Sequence, residues 1–278
     1  MSGMKNIIVP IDFSQYSENA FLSAVEIATQ GNAMITCINV VNSELDWKKL
    51  PEKEKLKYQE TIDLETEARE KLQNFILDHN IQTIVVEAVV EVGIPYEAIV
   101  HFAYQHQADL IVIGAYGKGY QEGRFIGSNL QKVIRLASCP VLAVKHVVQS
   151  VELRKMVFAS LFNQVSKPAF LRMKPFIQST NALVNFLYIN TPQLHKTGVT
   201  SQEQMDNYAQ EQDELIISKH VQEYPEVEKG IIDFCAKNNV GWIGIASNSR
   251  KSSSSYRIGV TETLIFKSDI PILSVKFE

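Results

Sequence analysis

The stretch DLIVIGAYGKGYQEGRFIGSN, residues 109–129, joins an apolar run to a loop that contains five glycines. The run at 109–114 is short and rich in isoleucine and valine, which is typical of a strand buried in a parallel sheet. A glycine-rich loop lets backbone N–H groups approach an anion closely, because glycine has no Cβ. Residues 128–137 then have helical periodicity, with Ser128 as the expected N-cap. The stretch therefore predicts a strand, an anion-binding loop and a helix.

The same alternation of strand and helix patterns extends over the first half of the chain. Gly31 is placed as the C-terminal cap of the first helix, and Pro95 as the first residue of the third. Strands that alternate with helices predict a parallel, doubly wound α/β sheet. Short apolar runs predict strands at 5–11, 33–41, 83–93, 109–114 and 139–145. Helical spacing predicts helices at 14–31, at about 54–79, from 95 onward and at 128–137.

The second half repeats this pattern. The segment PVLAVK at 140–145 returns as PILSVK at 271–276, about 130 residues later, which is far longer than a solenoid repeat. We therefore predict two similar α/β domains, residues 1–147 and 152–278, each with a doubly wound parallel sheet. The strands of the second are predicted at 154–162, 182–190, 240–247 and 269–278, and its helices at 203–220 and 225–237.

Composition narrows the class of protein. The chain has 278 residues, a formal net charge of −4 and 21% charged residues, so it has no basic footprint of the kind that binds nucleic acid. Its apolar runs are too short to span a membrane, and its first residues lack a signal-peptide pattern. The three cysteines form no CxxC pair, and Cys37 and Cys139 lie in apolar runs that predict buried thiols. We expect a cytoplasmic protein.

Two features fall where strands end, and ligands of open parallel sheets bind at such ends. Asp12 follows the first strand, and the glycine loop follows the fourth. The loop has the spacing Gly114-x2-Gly117-x9-Gly127-Ser128, and its last two residues open a helix whose N-terminus favours anions. Lys118 and Arg124 are candidates for neutralising a phosphate, or are solvated loop charges. No Walker-type loop or dinucleotide fingerprint is present.

These motifs resemble the universal stress protein family in its tandem, two-domain form. NIIVPIDFS at 6–14, the G-x2-G-x9-G-S spacing at 114–128 and PVLAVK at 140–145 carry the resemblance, which extends over most of the first half. The glycine spacing resembles that of the ATP-binding branch. The resemblance implies that Asp12 lies beside the adenosine, that the backbone of Val40 hydrogen-bonds adenine, and that Gly114 and Gly117 lie near the ribose and phosphates.

The resemblance also assigns the far end of the loop. Gly127 and Ser128 would hold the phosphates at the helix N-terminus, and magnesium or another divalent cation would accompany the triphosphate. Asn129 replaces the apolar residue usual in the family and would add a polar contact.

The second half departs from this pattern. Its loop retains one of the three spaced glycines and loses the hydroxyl, and Phe162 aligns with Asp12, so it is not expected to bind ATP in the family's manner. The segment SRKSSSSYR at 249–257 is either a solvated loop or a site for another anion. The loop residues Ala246, Ser249, Gly259 and Val260 align with Gly114, Gly117, Gly127 and Ser128.

The leading hypothesis is a stress-response protein that binds ATP in its first domain and signals through its conformation or through protein partners. The family's fifth strands pair between domains, so PVLAVK and PILSVK are expected to pair within this chain as a pseudo-dimer. A homodimer of the whole chain is a further alternative. The alternatives are a slow ATPase or phosphotransferase that uses the same site, and an interaction module that binds no nucleotide.

Overall fold

A computed structural model describes residues 4–123, 125–192, 201–248 and 259–277. Within these ranges, strands and helices alternate along both halves of the chain. The first half contains β1 (Asn6–Pro10), α1 (Gln15–Gly31), β2 (Met34–Asn42), α2 (Glu52–Lys55), α3 (Gln59–Asp78), β3 (Val86–Gly93), α4 (Pro95–Gln105), β4 (Leu110–Gly114), α5 (Ser128–Leu136) and β5 (Val141–Val144). The second contains β6 (Lys155–Ala159), α6 (Lys167–Ser179), β7 (Leu183–Asn190), α7 (Ser201–Ala209), β8 (Ile217–Glu223), α8 (Val227–Asn238), β9 (Trp242–Asn248), α9 (Val260–Lys267) and β10 (Ile272–Phe277).

The ten strands of the described ranges form one sheet in the order β3-β2-β1-β4-β5-β10-β9-β6-β7-β8. Each half has the order 3-2-1-4-5 of a doubly wound fold, and every pairing within a half is parallel. The halves meet where β5 and β10 pair antiparallel, with Leu142 opposite Leu273. The predicted tandem α/β fold and its internal pseudo-dimer are confirmed.

Each face of the sheet carries one apolar core that continues through both halves. On one face, Phe21 of α1 and Phe170 of α6 belong to the same buried cluster, joined through Leu142 and Leu273 of the central strands. The other face is covered by α4 and α5 in the first half and by α8 and α9 in the second. The central pairing of β5 with β10 therefore joins the apolar cores of the two halves. In the described part of the chain, no helix is long and apolar enough to cross a membrane.

Three sequence predictions about local structure are wrong. Residues 203–220 form no single helix, because α7 ends at Ala209 and Ile217–Glu223 adds β8 to the sheet edge. The strand is a mixture of half-buried and exposed side chains, most of them polar, so it lacks the continuous apolar run that marks the inner strands. The C-terminal cap of α1 is Asn32, whose φ of 51° is left-handed, rather than Gly31. At α5, Gly127 occupies the N-cap position and Ser128 is the first helical residue.

Candidate functional site

A cavity of about 470 Å³ opens at the carboxyl ends of β1 and β4, where the strand order of the first half reverses. This is the switch point at which doubly wound folds bind ligands. All seven residues predicted from the sequence line this cavity, so the fold brings together positions that lie up to 117 residues apart. The seven are Asp12, Val40, Gly114, Gly117, Gly127, Ser128 and Asn129.

Asp12 ties the end of β1 to the glycine loop. Its Oδ1 accepts hydrogen bonds from the backbone N–H and the hydroxyl of Ser14, at 3.0 and 2.5 Å. Its Oδ2 accepts from the backbone N–H of Lys118 at 2.7 Å. Ser14, and not Asp12, caps α1, through a bond from the N–H of Ser17. Asp12 therefore anchors the loop over the cavity and leaves the remaining lone pairs of its carboxylate for a ligand.

The glycines at 114 and 117 are explained by close packing. A Cβ on Gly114 would lie 2.7 Å from the backbone carbonyl of Tyr16, so β4 can approach α1 only without a side chain there. A Cβ on Gly117 would lie 2.8 Å from Oδ2 of Asp12. Neither has a positive φ, so space rather than backbone conformation excludes a side chain at these two positions. The positive φ values belong to Gly119 (88°) and Gly123 (85°) in the spacer.

Gly127 differs from these two, because the protein itself leaves room beside it. A Cβ at this position would meet nothing closer than the Ala115 carbonyl oxygen at 3.8 Å, an ordinary contact. The N–H of Gly127 donates to that oxygen at 3.1 Å, which fixes the approach of the loop to α5. Among the described residues no side chain caps α5, and Ser128 and Asn129 are exposed at its start. Ser128 and Asn129, in the first turn of this helix, line the cavity, and helix N-termini of this kind favour anions.

Val40 lies at the opposite wall, beyond the last pairing of β2 with β1. The N–H of Ile11 donates to the carbonyl oxygen of Ile38 at 2.8 Å, and β1 extends no further along β2. Backbone groups alternate in direction along a strand, so Val40 directs its N–H and C=O to the same side as Ile38, into the cavity. Asn39 fixes this corner, because its buried amide donates to the Ile11 carbonyl at 2.7 Å.

No sequence pattern predicted the aromatic wall of the cavity. Tyr116 and Tyr120 stack with ring centroids 3.8 Å apart, and Tyr16 of α1 meets both rings edge-on. Burial and the neighbouring tyrosines raise the pKa of Tyr116, which keeps it a neutral phenol. Phe125, also in the wall, packs against Phe266 of α9 at 5.2 Å. Aromatic spacing inside a loop has no period, so only the fold reveals this cluster.

Lys118 is the one of the two predicted phosphate-neutralising residues whose position the structure describes. Lys118 lies exposed at the cavity rim, with its backbone held by Asp12. Arg124 lies outside the described residues. Among the residues that are described, no three histidine, cysteine, aspartate or glutamate side chains are grouped to hold a metal ion.

The second half has a smaller cavity of about 300 Å³ at the equivalent ends of β6, β7 and β9. Phe13 and Phe162 share a left-handed φ, 62° and 49°, so the structural counterpart of Asp12 is Leu161, and the sequence alignment with Phe162 was wrong by one residue. Phe162 instead packs on Phe186 in the core. The predicted loss of the carboxylate stands, because Leu161 cannot accept a hydrogen bond. The segment 249–257 lies outside the described residues.

Fold and cavity together define a tandem, doubly wound α/β protein whose larger cavity lies at the switch point of its first half. A family model described as the universal stress protein family matches residues 3–145, about half of the chain. This chain therefore belongs to the universal stress protein family.

Similar proteins agree with this assignment. A universal stress protein of Methanocaldococcus jannaschii is 34% identical over 149 residues, which are 51% of this chain and 82% of that protein. A second from the same organism is 27% identical over 154 residues, 51% of this chain and 94% of its own length. The crystal structure of a universal stress protein from Archaeoglobus fulgidus matches 98% of both chains, with a TM-score of 0.73 and 16% identity. That likeness shows that the two-half fold is shared.

Proposed function

We propose that this protein binds ATP in the cavity of its first half and acts as a stress-response protein through the conformation of that site. The observation that carries the proposal is that Gly127 leads into the N-terminus of α5, which has no side-chain cap among the described residues. The space beside Gly127 is not filled by atoms of these residues. A helix N-terminus without a side-chain cap offers N–H groups and a positive dipole end to an anion. Gly127 keeps the approach to these groups clear.

The cavity fits an adenine nucleotide in size and in chemistry. Its volume of about 470 Å³ lies within the range of about 300–1,000 Å³ typical of small-molecule sites. The backbone of Val40 provides one donor and one acceptor at the wall for an adenine edge. Asp12 lies between that wall and the loop, where its carboxylate would accept a ribose hydroxyl. The phosphates would then extend toward Ser128 and Asn129.

Magnesium would accompany the triphosphate, whose oxygens are the hard ligands it prefers. The bound protein would differ from the free one at the loop, because the carboxylate of Asp12 holds the loop and faces the ligand at once. We further propose that residues 1–147 and 152–278 are its two domains, and that the rim of the first cavity presents its ligand-dependent surface to protein partners in the cytoplasm.

Isothermal titration of the whole chain with ATP and magnesium tests the proposal. We expect one nucleotide per chain, bound in the first half. Asp12→Ala should weaken binding, and Asp109→Ala is its matched control. Asp109 also accepts two backbone N–H bonds, from Lys5 and Asn6, but it lies at the amino-terminal ends of β1 and β4, opposite to the cavity. Absence of binding to the unmodified chain, or equal losses in both variants, would overturn the proposal.

A further inference from the structure

The second-half cavity occupies the same place on its sheet as the first-half cavity, but its walls have a different chemistry. Leu161 lies where the first half has Asp12, and Val260 begins α9 where Ser128 begins α5. The floor and sides are apolar and come from β7, β9 and α8: Leu187, Ile189, Val227, Ile231 and Ile245. None of the described residues that line it carries a charge.

The polar side chains at its edge are already paired with one another. The hydroxyl of Ser160 donates to that of Ser166 at 3.1 Å and accepts the N–H of Phe162 at 3.1 Å. The carboxamide oxygen of Asn163 accepts the N–H of Ser166 at 3.0 Å. Among the described residues that line the cavity, a charged ligand would lose its hydration without gaining a side chain of opposite charge, which is strongly unfavourable. Apart from the N-terminus of α9, which like that of α5 has no side-chain cap, the described walls therefore offer a phosphate no partner.

The size of the cavity sets the class of ligand that it can hold. A closed apolar cavity of roughly 150 Å³ is enough to bind benzene in a protein core. At about 300 Å³ this cavity has room for a molecule about twice as large. Ile231, Ile245 and Leu187 are buried, so the walls belong to the rigid core and are preformed. We propose that the second half is a separate binding site for a small, uncharged, apolar ligand of one to two rings.

The test uses the whole chain and the uncharged two-ring dye 6-propionyl-2-(dimethylamino)naphthalene, whose fluorescence shifts to the blue in apolar surroundings. We expect one dye per chain and no displacement by ATP. Ala159→Leu should reduce dye affinity by about tenfold or more, because Ala159 lines the cavity and the larger side chain would fill it. Ala236→Leu is the matched control, because Ala236 is exposed on α8 outside the cavity.

A second variant provides a test that does not depend on the folding of Ala159→Leu. Leu161→Asp changes an exposed rim residue, so the variant should fold normally. It places a carboxylate at the position equivalent to Asp12, which should lower the affinity for the dye by a few-fold. Displacement of the dye by ATP would place it in the first cavity and overturn the proposal. So would an absence of dye binding, or binding that neither Ala159→Leu nor Leu161→Asp reduces. ATP binding, measured separately, tests the function of the first half independently.

Discussion

The backbone N–H of Lys118 donates to Oδ2 of Asp12 at 2.7 Å, and this bond joins the end of β1 to the loop after β4 across 106 residues of sequence. The contact is possible because Gly117, the residue before, has no Cβ to strike the same oxygen. A side chain expected to serve the ligand therefore also holds the loop in place. This double role decides what its removal should do.

Asp12→Ala should loosen the loop as well as weaken the binding of ATP. The variant loses charge-assisted hydrogen bonds, each worth about 1.5–3 kcal/mol, so we expect at least about a tenfold loss of affinity. Hydrogen exchange at residues 117–123 should also become faster in the nucleotide-free protein. Exchange unchanged from the unmodified chain would show that the Lys118 bond does not restrain the loop.

The glycines should separate into packing and ligand positions. Gly114→Ala places a Cβ 2.7 Å from the Tyr16 backbone, so we expect a loss of about 1–3 kcal/mol in the free energy of unfolding. The Cβ of Gly127→Ala would make only ordinary contacts, so this variant should leave the free energy of unfolding nearly unchanged while it weakens the binding of ATP. Urea unfolding and titration of both variants measure the two effects. A large stability loss in Gly127→Ala with no change in affinity would assign this glycine to the fold.

The ion pair between Arg135 of α5 and Glu262 of α9 should stabilise the contact between the halves. Glu262 is only 7% exposed, and its Oε1 accepts from Nη2 and Nε of Arg135 at 2.8 and 3.2 Å. Arg135→Met should cost about 1–3 kcal/mol of unfolding free energy, because it removes a partner from a buried carboxylate. The double variant with Glu262→Gln should recover part of the loss. Additive losses in the double-mutant cycle would mean that the two side chains act independently.

The cysteines should make stability fall at high pH. Burial raises the pKa of Cys37, Cys139 and Cys235 from the usual 9.0 to about 12. A thiol whose pKa is raised by folding stabilises the protein below pH 9 and loses that contribution as pH rises from about 9 to about 12. Unfolding free energies measured across this window should therefore decline, and less steeply after Cys37→Ala. An equal slope in that variant would contradict the assignment.

The same burial should protect the thiols from reagents. The thiolate is the reactive form, so a thiol-specific reagent at pH 8 should label none of the three in the native protein and all three after unfolding. The predicted burial of Cys37 and Cys139 is confirmed, and Cys235 on α8 is buried as well. Rapid native labelling would show that local opening exposes these positions.

Sequence periodicity predicted the elements whose pattern is continuous. The inner strands were found because both their faces are buried, which produces unbroken apolar runs such as that of β4. The edge strand β8 was missed because one of its sides meets no further strand and its sequence, ISKHVQE, is mostly polar. The counterpart of Asp12 was misplaced by one residue, although a phenylalanine follows both Asp12 and Leu161. Aligning Phe13 with Phe162 gives the register that the left-handed φ of both residues supports.

By itself, the sequence determined that this chain is a tandem α/β protein with a glycine loop and an aspartate at strand ends, because strand periodicity and glycine spacing are local properties. Only the tertiary structure decided what each glycine does. Gly114 makes room for α1, Gly117 makes room for Asp12, and Gly127 leaves space that no protein atom occupies closely. It also decided that the second half has an apolar cavity. Both answers depend on distances between residues far apart in sequence, which packing alone fixes.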